Sequence, residues 1–253
     1  MKLVPINESG MKYLTYKDVP KAAYTLFHSF RTDPLGQLLT SHLKNEKERN
    51  MVEMKLYECY LKQHINKGIC IGINESEKEF ETVAIWATPT SEEEGLYSFS
   101  NLMDSSFDEL YSICDDESRE KIFNGLLPLL HDSFDEIMNN DSRFHKKNVW
   151  TLVYLGLLAS ARGKGNVRKM FNFLFENYVD VQENSLCYLE SSSSDNIPIY
   201  NRFGFHTHKD ILLGKKSANS QEGKDYAIMN VMIRGYKGED WTKQENTLLH
   251  VKL

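Results

Sequence analysis

One segment in the second half of the chain has the residue types of a phosphate site. Residues 155–169 read LGLLASARGKGNVRK, and Gly163 and Gly165 stand between an apolar run and the start of a predicted helix. Glycines let the backbone approach a ligand closely, and the N–H groups at a helix start attract anions. Lys164 and Arg168 add positive charge. The segment therefore predicts a cradle for a phosphate or pyrophosphate.

Two common nucleotide motifs do not match this segment. A P-loop needs GxxxxGK followed by Ser or Thr, but Leu158 stands five residues before Gly163, and Gly165 follows Lys164. A dinucleotide fingerprint reads GxGxxG, and Arg168 occupies its last glycine position. Taken alone, the segment is equally compatible with a glycine-rich turn whose basic residues are only solvated.

A second motif lies further along the chain, where residues 189–205 read LESSSSDNIPIYNRFGF. Together the two motifs resemble the GNAT superfamily of acyl-CoA-dependent N-acetyltransferases, whose first motif is Gln or Arg, two residues, Gly, one residue, and Gly or Ala. The second motif is similar to that of the puromycin acetyltransferase-like branch, close to LExSxxxNxPxYxRxGF. Residues 30–34 and 84–89 resemble the same branch. The resemblance therefore runs from about residue 12 to residue 234, and it is weakest across 91–147.

The resemblance implies acetyl-CoA as co-substrate, no metal, and a set of residues that hold the cofactor. The backbone of Leu157, Leu158 and Ala159 would bind the pantetheine arm where family strands splay apart, and Asn196 would contact the same arm. The residues that would surround the pyrophosphate are Arg162, Gly163, Lys164, Gly165, Asn166, Val167 and Arg168. Val167 departs from the family preference for Gly or Ala, so its β-branched side chain could crowd the loop.

Two side chains are candidates for proton transfer. The resemblance implies that Tyr200 contacts the cofactor near the thioester sulfur and protonates the leaving thiolate, a role that suits a phenol protonated at neutral pH. Glu190, on the strand beside the cofactor, is the best carboxylate for general base, acting directly or through water. A backbone N–H of the central strand is the expected oxyanion donor.

Phe30 and Trp86 are candidate contacts of the acceptor, although a tryptophan on a strand more commonly belongs to the core. His206 and His208 lack a third ligand at suitable spacing, so we expect solvated histidines rather than a metal site. The acidic run from Glu92 to Glu117 is expected to be a solvated face, with steering of a cationic amine as the alternative.

Hydrophobic periodicity predicts the elements that position these residues. The first predicted helix begins at Asp18, whose side chain is expected to cap it, and ends by Asp33-Pro34. Further predicted helices cover 46–67, most of 89–140, 167–178 and 197–203. Predicted strands cover 69–73, 82–87, 149–158, 185–191, 205–213 and 225–234. This order indicates an α/β (α+β) fold. As in GNAT proteins, we expect a mixed, mostly antiparallel central sheet with helices on both faces.

Composition excludes several classes of protein. The 253 residues carry a net charge of -6, which argues against nucleic acid as a partner. The longest apolar run, 153–159, is too short to cross a membrane. Four scattered cysteines without a CxxC pair indicate reduced thiols, and we expect a cytoplasmic protein.

We therefore predict one GNAT-like domain over 1–253, with a helical acidic insertion at about 91–147 and a polar tail at about 235–253. The predicted function is acetyl transfer from acetyl-CoA to a primary amine, with a small-molecule partner. A non-catalytic acetyl-CoA-binding regulator and an acetyltransferase of protein amines are the alternatives. The sequence leaves the oligomeric state open.

Overall fold

A seven-stranded sheet runs through the computed structural model, which describes residues 2–90 and 98–246. Its strands are β1 (Met11–Tyr13), β2 (Gly68–Glu75), β3 (Phe80–Ala87), β4 (Asn148–Leu157), β5 (Ser185–Ser191), β6 (Phe205–Gly214) and β7 (Tyr226–Arg234). Their order across the sheet is β1-β2-β3-β4-β5-β7-β6, and β4 beside β5 is the parallel pair, with the other neighbours antiparallel. The predicted mixed, mostly antiparallel sheet is confirmed.

Nine α-helices flank the sheet in the described residues. They are α1 (Val19–Ser29), α2 (Pro34–Thr40), α3 (Glu46–Lys67), α4 (Phe99–Leu102), α5 (Asp108–Ile113), α6 (Asp116–Arg119), α7 (Leu127–Asn140), α8 (Asn166–Leu174) and α9 (Ile197–Asn201). Three π-helical segments extend them: Met103–Phe107 lies between α4 and α5, Glu120–Leu126 joins α6 to α7, and Phe175–Val179 follows α8. The helix predicted over 46–67 has those bounds, whereas β1 and α2 were not predicted.

Two acidic residues near helix starts act differently from the prediction. Asp18 does not cap α1 with its side chain, because its carboxylate accepts hydrogen bonds from the N–H and hydroxyl of Thr15 and pairs with Lys12. Asp33 was expected only to end a helix, yet it caps α2 by accepting from the N–H groups of Leu35 and Gly36. The Asp33-Pro34 pair therefore both separates α1 from α2 and begins α2.

The sheet divides the apolar interior into two layers. One layer packs α1, α2, α3 and α7 against one sheet face, with Tyr188 of β5 among its buried residues. The other packs α8 and its π-turn against the opposite face, with Leu189 of β5 among its buried residues. Successive strand residues point to opposite faces, so neighbouring residues of β5 belong to different layers.

The centre of the sheet separates at one end. Opposite β3, the pairs Ile85↔Tyr154 and Trp86↔Leu152 leave Val153 of β4 as an extra residue, which is a β-bulge. β5 pairs with β4 only from Asn148↔Ser185 to Leu152↔Leu189. β4 continues for five more residues, 153–157, along β3 alone. A gap therefore opens between the ends of β4 and β5.

Part of the predicted polar tail packs on the sheet. Trp241 is buried, and its indole N–H donates to the carbonyl of Ile233, 2.8 Å away. Residues 247–253 of the tail lie outside the described residues. Within the described chain, no helix combines the length and the apolar character that crossing a membrane requires.

A largely buried ion pair fixes the π-turn after α8 and the turn after α9 to the sheet. Arg234, 6% exposed, donates from both Nη atoms to the Asp180 carboxylate at 2.8 Å and from Nε to the carbonyl of Phe203 at 2.9 Å. Its guanidinium carbon lies 3.8 Å from the ring centroid of Phe175. The side chain thus joins β7, the π-turn after α8 and the turn after α9.

We expect Asp180→Asn to lower the free energy of unfolding by about 3–5 kcal/mol, because it leaves a buried guanidinium without its anion. Glu136→Gln, which breaks the more exposed pair between Glu136 and Lys209, is the matched control and should cost at most about 1 kcal/mol. Urea denaturation of both variants measures the difference. Equal losses would contradict the structural role of the Asp180–Arg234 pair.

Candidate active site

A pocket occupies the gap between β4 and β5. Its space, including the part open to solvent, is about 1040 Å³. The walls include Val153 at the bulge, Glu190 and Ser192 after the last β4–β5 pair, and Asn196 and Tyr200 at α9. The structure therefore brings together both predicted proton-transfer residues and one predicted cofactor contact.

Glu190 and Tyr200 approach the pocket from different faces of the sheet. Glu190 follows Tyr188 by two positions on β5, so its side chain points toward the layer of α1, α2, α3 and α7. Tyr200 packs in the other layer, where its ring lies edge-on to Phe171 and Phe205 with centroids 6.3 Å and 5.9 Å away. The gap between the strands connects the two faces.

The environment of Glu190 brings its acidity close to neutral pH. Burial raises the pKa of Glu190 to about 7, while hydrogen bonds from the Tyr188 side chain and the backbone act in the opposite direction. Tyr60 of α3 lies at the same wall, and its own pKa is raised by burial and by the negative charge of Glu190. A carboxylate with a pKa near 7 is suited to accept a proton at neutral pH.

The phenol of Tyr200 is held in its protonated form. Burial, followed by the negative charge of Asp33, raises its pKa above the ordinary value for tyrosine. Asp33 is itself fixed, because it caps α2 and accepts a hydrogen bond from the Ser192 hydroxyl. This contact ties the loop after β5 to the start of α2, and it makes Asp33 a site-positioning residue that the sequence analysis missed.

The glycine-rich loop has the backbone of an anion cradle. Gly163 and Gly165 have φ angles of +77° and +80°, a region that favours glycine, and no atom lies within 4 Å of where a Cβ would stand. The first hydrogen bond of α8 runs from the Lys169 N–H to the Gly165 carbonyl. The preceding N–H groups therefore have no acceptor within the helix. The loop leaves open space at a helix start, which fits a phosphate group.

Two predicted pyrophosphate contacts have protein partners. Lys164 Nζ lies 2.6 Å from a carboxylate oxygen of Glu81, and the Asn166 amide donates to Glu81 and to Thr82 at 3.0 Å and 3.1 Å. Side-chain hydrogen bonds from Lys164, Asn74 and Asn166 lower the pKa of Glu81 to about 2. The buried Asn166 side chain therefore fixes the loop to β3, whereas its N–H stays at the helix start.

Some of the other predicted cofactor residues are exposed at the surface, and the rest pack against the core or pair with β3. Arg162 and Arg168 are exposed beside the loop, and Val167 packs against the α8 layer, so its side chain is directed into the protein. Leu157 pairs with Thr82 across from β3, and the Leu158 N–H donates to the Glu81 carbonyl at 3.0 Å. Ala159 is exposed and begins a 3-10 turn that ends at Ala161.

The two candidate acceptor contacts lie in different places. Phe30 lines the pocket, packing near Tyr57 and Tyr154 with centroids 6.0 Å and 5.5 Å away. Trp86 is 1% exposed and packs edge-on to Phe171 in the opposite layer, so the acceptor contact expected of it does not fit its position in the core.

The histidine pair of β6 binds carboxylates separately. His206 faces Asp240 at 3.5 Å, and His208 faces Asp141 at 3.3 Å. Among the residues that the structure describes, no group of three or more His, Cys, Asp or Glu side chains could hold a metal ion. All four cysteines are free and buried.

Comparison with known proteins identifies the family. No family model matches the chain. A protein of Schizosaccharomyces pombe (strain 972), named an uncharacterized N-acetyltransferase, is 32% identical over 233 residues, covering 92% of this chain and 86% of that protein. The chain belongs to the GNAT-type N-acetyltransferases and is an acetyl-transfer enzyme.

Solved structures share the fold. A polyamine N-acetyltransferase of Drosophila melanogaster matches with a TM-score of 0.55 and 11% identity, over 89% of this chain and 98% of that chain. A structure from Corynebacterium glutamicum, described as histone acetyltransferase HPA2 and related acetyltransferase, matches with a TM-score of 0.50 and 21% identity. The match covers 89% of this chain and 95% of that chain. At these identities the likeness concerns the fold.

We expect Gly165→Glu to weaken acetyl-CoA binding at least tenfold, which is about 1.4 kcal/mol. The substitution forces a left-handed backbone on a side chain that disfavours it and puts negative charge at the cradle. Gly165→Asn is the matched control, because asparagine tolerates this backbone and is neutral, and it should retain more affinity. Calorimetric titration measures both, and wild-type affinity in Gly165→Glu would contradict the cradle.

Proposed function

We propose that this enzyme transfers the acetyl group of acetyl-CoA to the primary amine of a small molecule, with Glu190 as general base and Tyr200 as general acid. The observation that carries the proposal is the pocket between β4 and β5, which Glu190 and Tyr200 reach from opposite faces of the sheet. The motif over 189–205 further supports membership of the puromycin acetyltransferase-like branch.

The described residues fit acetyl-CoA along one path. The N–H groups at the start of α8, with Arg162 and Arg168 nearby, suit the pyrophosphate. The part of β4 beyond its pairing with β5, residues 153–157, offers backbone groups to the pantetheine arm. Asn196 and Tyr200 stand across the gap. When bound, acetyl-CoA supplies the acetyl group as an activated thioester.

Each proton has a residue to take or give it. The neutral amine nitrogen bonds to the acetyl carbon, and Glu190 accepts the proton that this nitrogen loses, directly or through water. A backbone N–H of β4 near the bulge stabilises the developing oxyanion. Tyr200 then donates its proton to the sulfur as the carbon–sulfur bond breaks. The products are the acetamide and the free thiol of CoA.

The shape of the pocket favours a small molecule over a protein amine. The acceptor face is lined by Phe30 at the end of α1, by Tyr60 of α3 and by Leu130 of α7. An enclosed, aromatic-lined space suits a compact amine better than a lysine that is part of a folded surface.

The activity is tested by incubating the chain with acetyl-CoA and a panel of amines and measuring thiol release. We expect release with at least one small amine. Tyr200→Phe should lower kcat by about 10²–10⁴-fold, because it removes the proton donor. Tyr16→Phe is the matched control, because Tyr16 is exposed and distant from Tyr200 in the sequence. An unchanged kcat in Tyr200→Phe would rule out the general-acid role.

We expect the kcat of the wild-type enzyme to fall as the pH drops below about 7, since Glu190 must lose its proton to act as a base and its pKa is about 7. Glu190→Gln should lower kcat and abolish this acidic limb, whereas Glu183→Gln, at an exposed carboxylate, should retain both. The pH profile of kcat checks this. The same acidic limb in Glu190→Gln would assign the base elsewhere.

A further inference from the structure

We propose that the acceptor is a monoamine with an apolar body, such as a phenyl ring or an alkyl chain, and that the pocket discriminates against diamines and polyamines. This inference rests on the proposed function, because it takes the Glu190 face of the pocket as the acceptor side.

One wall of that face is aromatic. It is lined by Phe30, the residue after α1, together with Tyr60 of α3 and Tyr154 of β4. Tyr154 lies edge-on to Phe30 and to Tyr60, with ring centroids 5.5 Å and 5.0 Å away. Such rings present large apolar area in a fixed arrangement. An apolar group that enters here is removed from water against rigid partners.

A second wall is apolar and comes from α7 and the π-turn that precedes it. Leu126, Leu127, Leu130 and Phe134 recur at the spacing of one helical stripe and line the pocket. Phe134 is held in place by its edge-on contact with Tyr188, whose centroid is 5.1 Å away. The two walls together surround the approach to Glu190 with apolar side chains.

The pocket has one matching charge for an ammonium group. Among the described lining residues, Glu190 is the single carboxylate, and none is lysine or arginine. One amine can therefore meet Glu190. The carboxylate of Asp33, which contacts the lining residue Ser192, already accepts hydrogen bonds from the Ser192 hydroxyl and from the N–H groups that it caps in α2. A second ammonium on the same molecule would lose its hydration beside leucine and aromatic side chains, which is unfavourable.

The acidic segment does not supply that missing charge in its described part. Glu109 pairs with Lys55 and Lys62, at 3.0 Å and 2.9 Å, and Glu117 pairs with Lys121 at 2.9 Å. None of the described residues of 98–117 lines the pocket. Glu109 holds α5 against α3, and Glu117 pairs with Lys121 one turn further along its own helical segment, so the geometry favours a structural role over steering of a polycation.

The decisive substrates are pentylamine and 1,5-diaminopentane, which share a five-carbon chain and differ in whether its far carbon carries a hydrogen or an ammonium group. At equal concentrations of neutral amine, we expect kcat/KM to be at least tenfold higher for pentylamine. It should also rise about three- to fourfold per methylene from butylamine to hexylamine, in line with apolar burial. 2-Phenylethylamine should be acetylated as well as hexylamine or better.

A substitution that supplies a second carboxylate tests the cause. Leu130→Glu should shift the ratio of kcat/KM values toward 1,5-diaminopentane by about tenfold or more, whereas Leu130→Gln should lower pentylamine turnover without that shift. Asn139→Glu adds a carboxylate at an exposed position of α7 and is the matched control. Thermal unfolding verifies that each variant is folded.

The outcomes separate the two proposals. If none of the tested amines supported thiol release, the result would contradict the proposed function. Acetylation of 1,5-diaminopentane, spermidine or a lysine peptide in preference to pentylamine would overturn the monoamine inference while leaving the acetyl-transfer function in place. A wild-type preference for pentylamine that Leu130→Glu weakens is the expected result.

Discussion

The separation of β4 from β5 is the constraint on which the rest of the site depends. β3 holds one edge of β4 beyond the bulge at Val153, and β7 holds the outer edge of β5 as far as Ser191↔Asn230. Both strands are therefore fixed from outside while their facing edges part after Leu152↔Leu189. Backbone groups along such an edge need hydrogen-bond partners. An extended, amide-containing ligand arm meets that need.

The alternation of β5 converts this gap into two chemically different sides. Tyr188 and Glu190 point toward the α1–α3 layer, whereas Leu189 points toward the α8 layer, where Tyr200 also packs. The proposed proton acceptor and the proposed proton donor therefore stand on opposite sides of the strands. A reaction that uses both would place its breaking and forming bonds within the gap, which would give a one-residue bulge catalytic consequences.

Local patterns in the sequence predicted much of this arrangement. The bounds of α3 and β5 and the glycine loop followed from hydrophobic periodicity and glycine placement, whereas the selection of Asn196 and Tyr200 as site residues followed from the resemblance to the GNAT family. Contacts between distant segments could not be predicted, because they depend on the assembled sheet. The Asp33–Ser192 bond spans 159 positions, and Tyr60 reaches the pocket from α3. Trp86 illustrates the same limit, because the sequence does not show which face of β3 its side chain lies on. In the structure it lies in the buried layer of α8.

The carboxylate of Glu81 beside an anion cradle needs a physical reason. Its charge opposes a phosphate, but Lys164 neutralises it, and its other oxygen fixes the Asn166 amide at the start of α8. These contacts tie the loop to β3, and they use the positive charge of Lys164. Arg162, Arg168 and Lys169 keep the region positive. β3 also forms the bulge with β4, between Ile85 and Trp86. One strand thus sets both the helix start that suits the pyrophosphate and the gap that suits the thioester, so the distance between the two sites is fixed by the sheet rather than by a flexible loop.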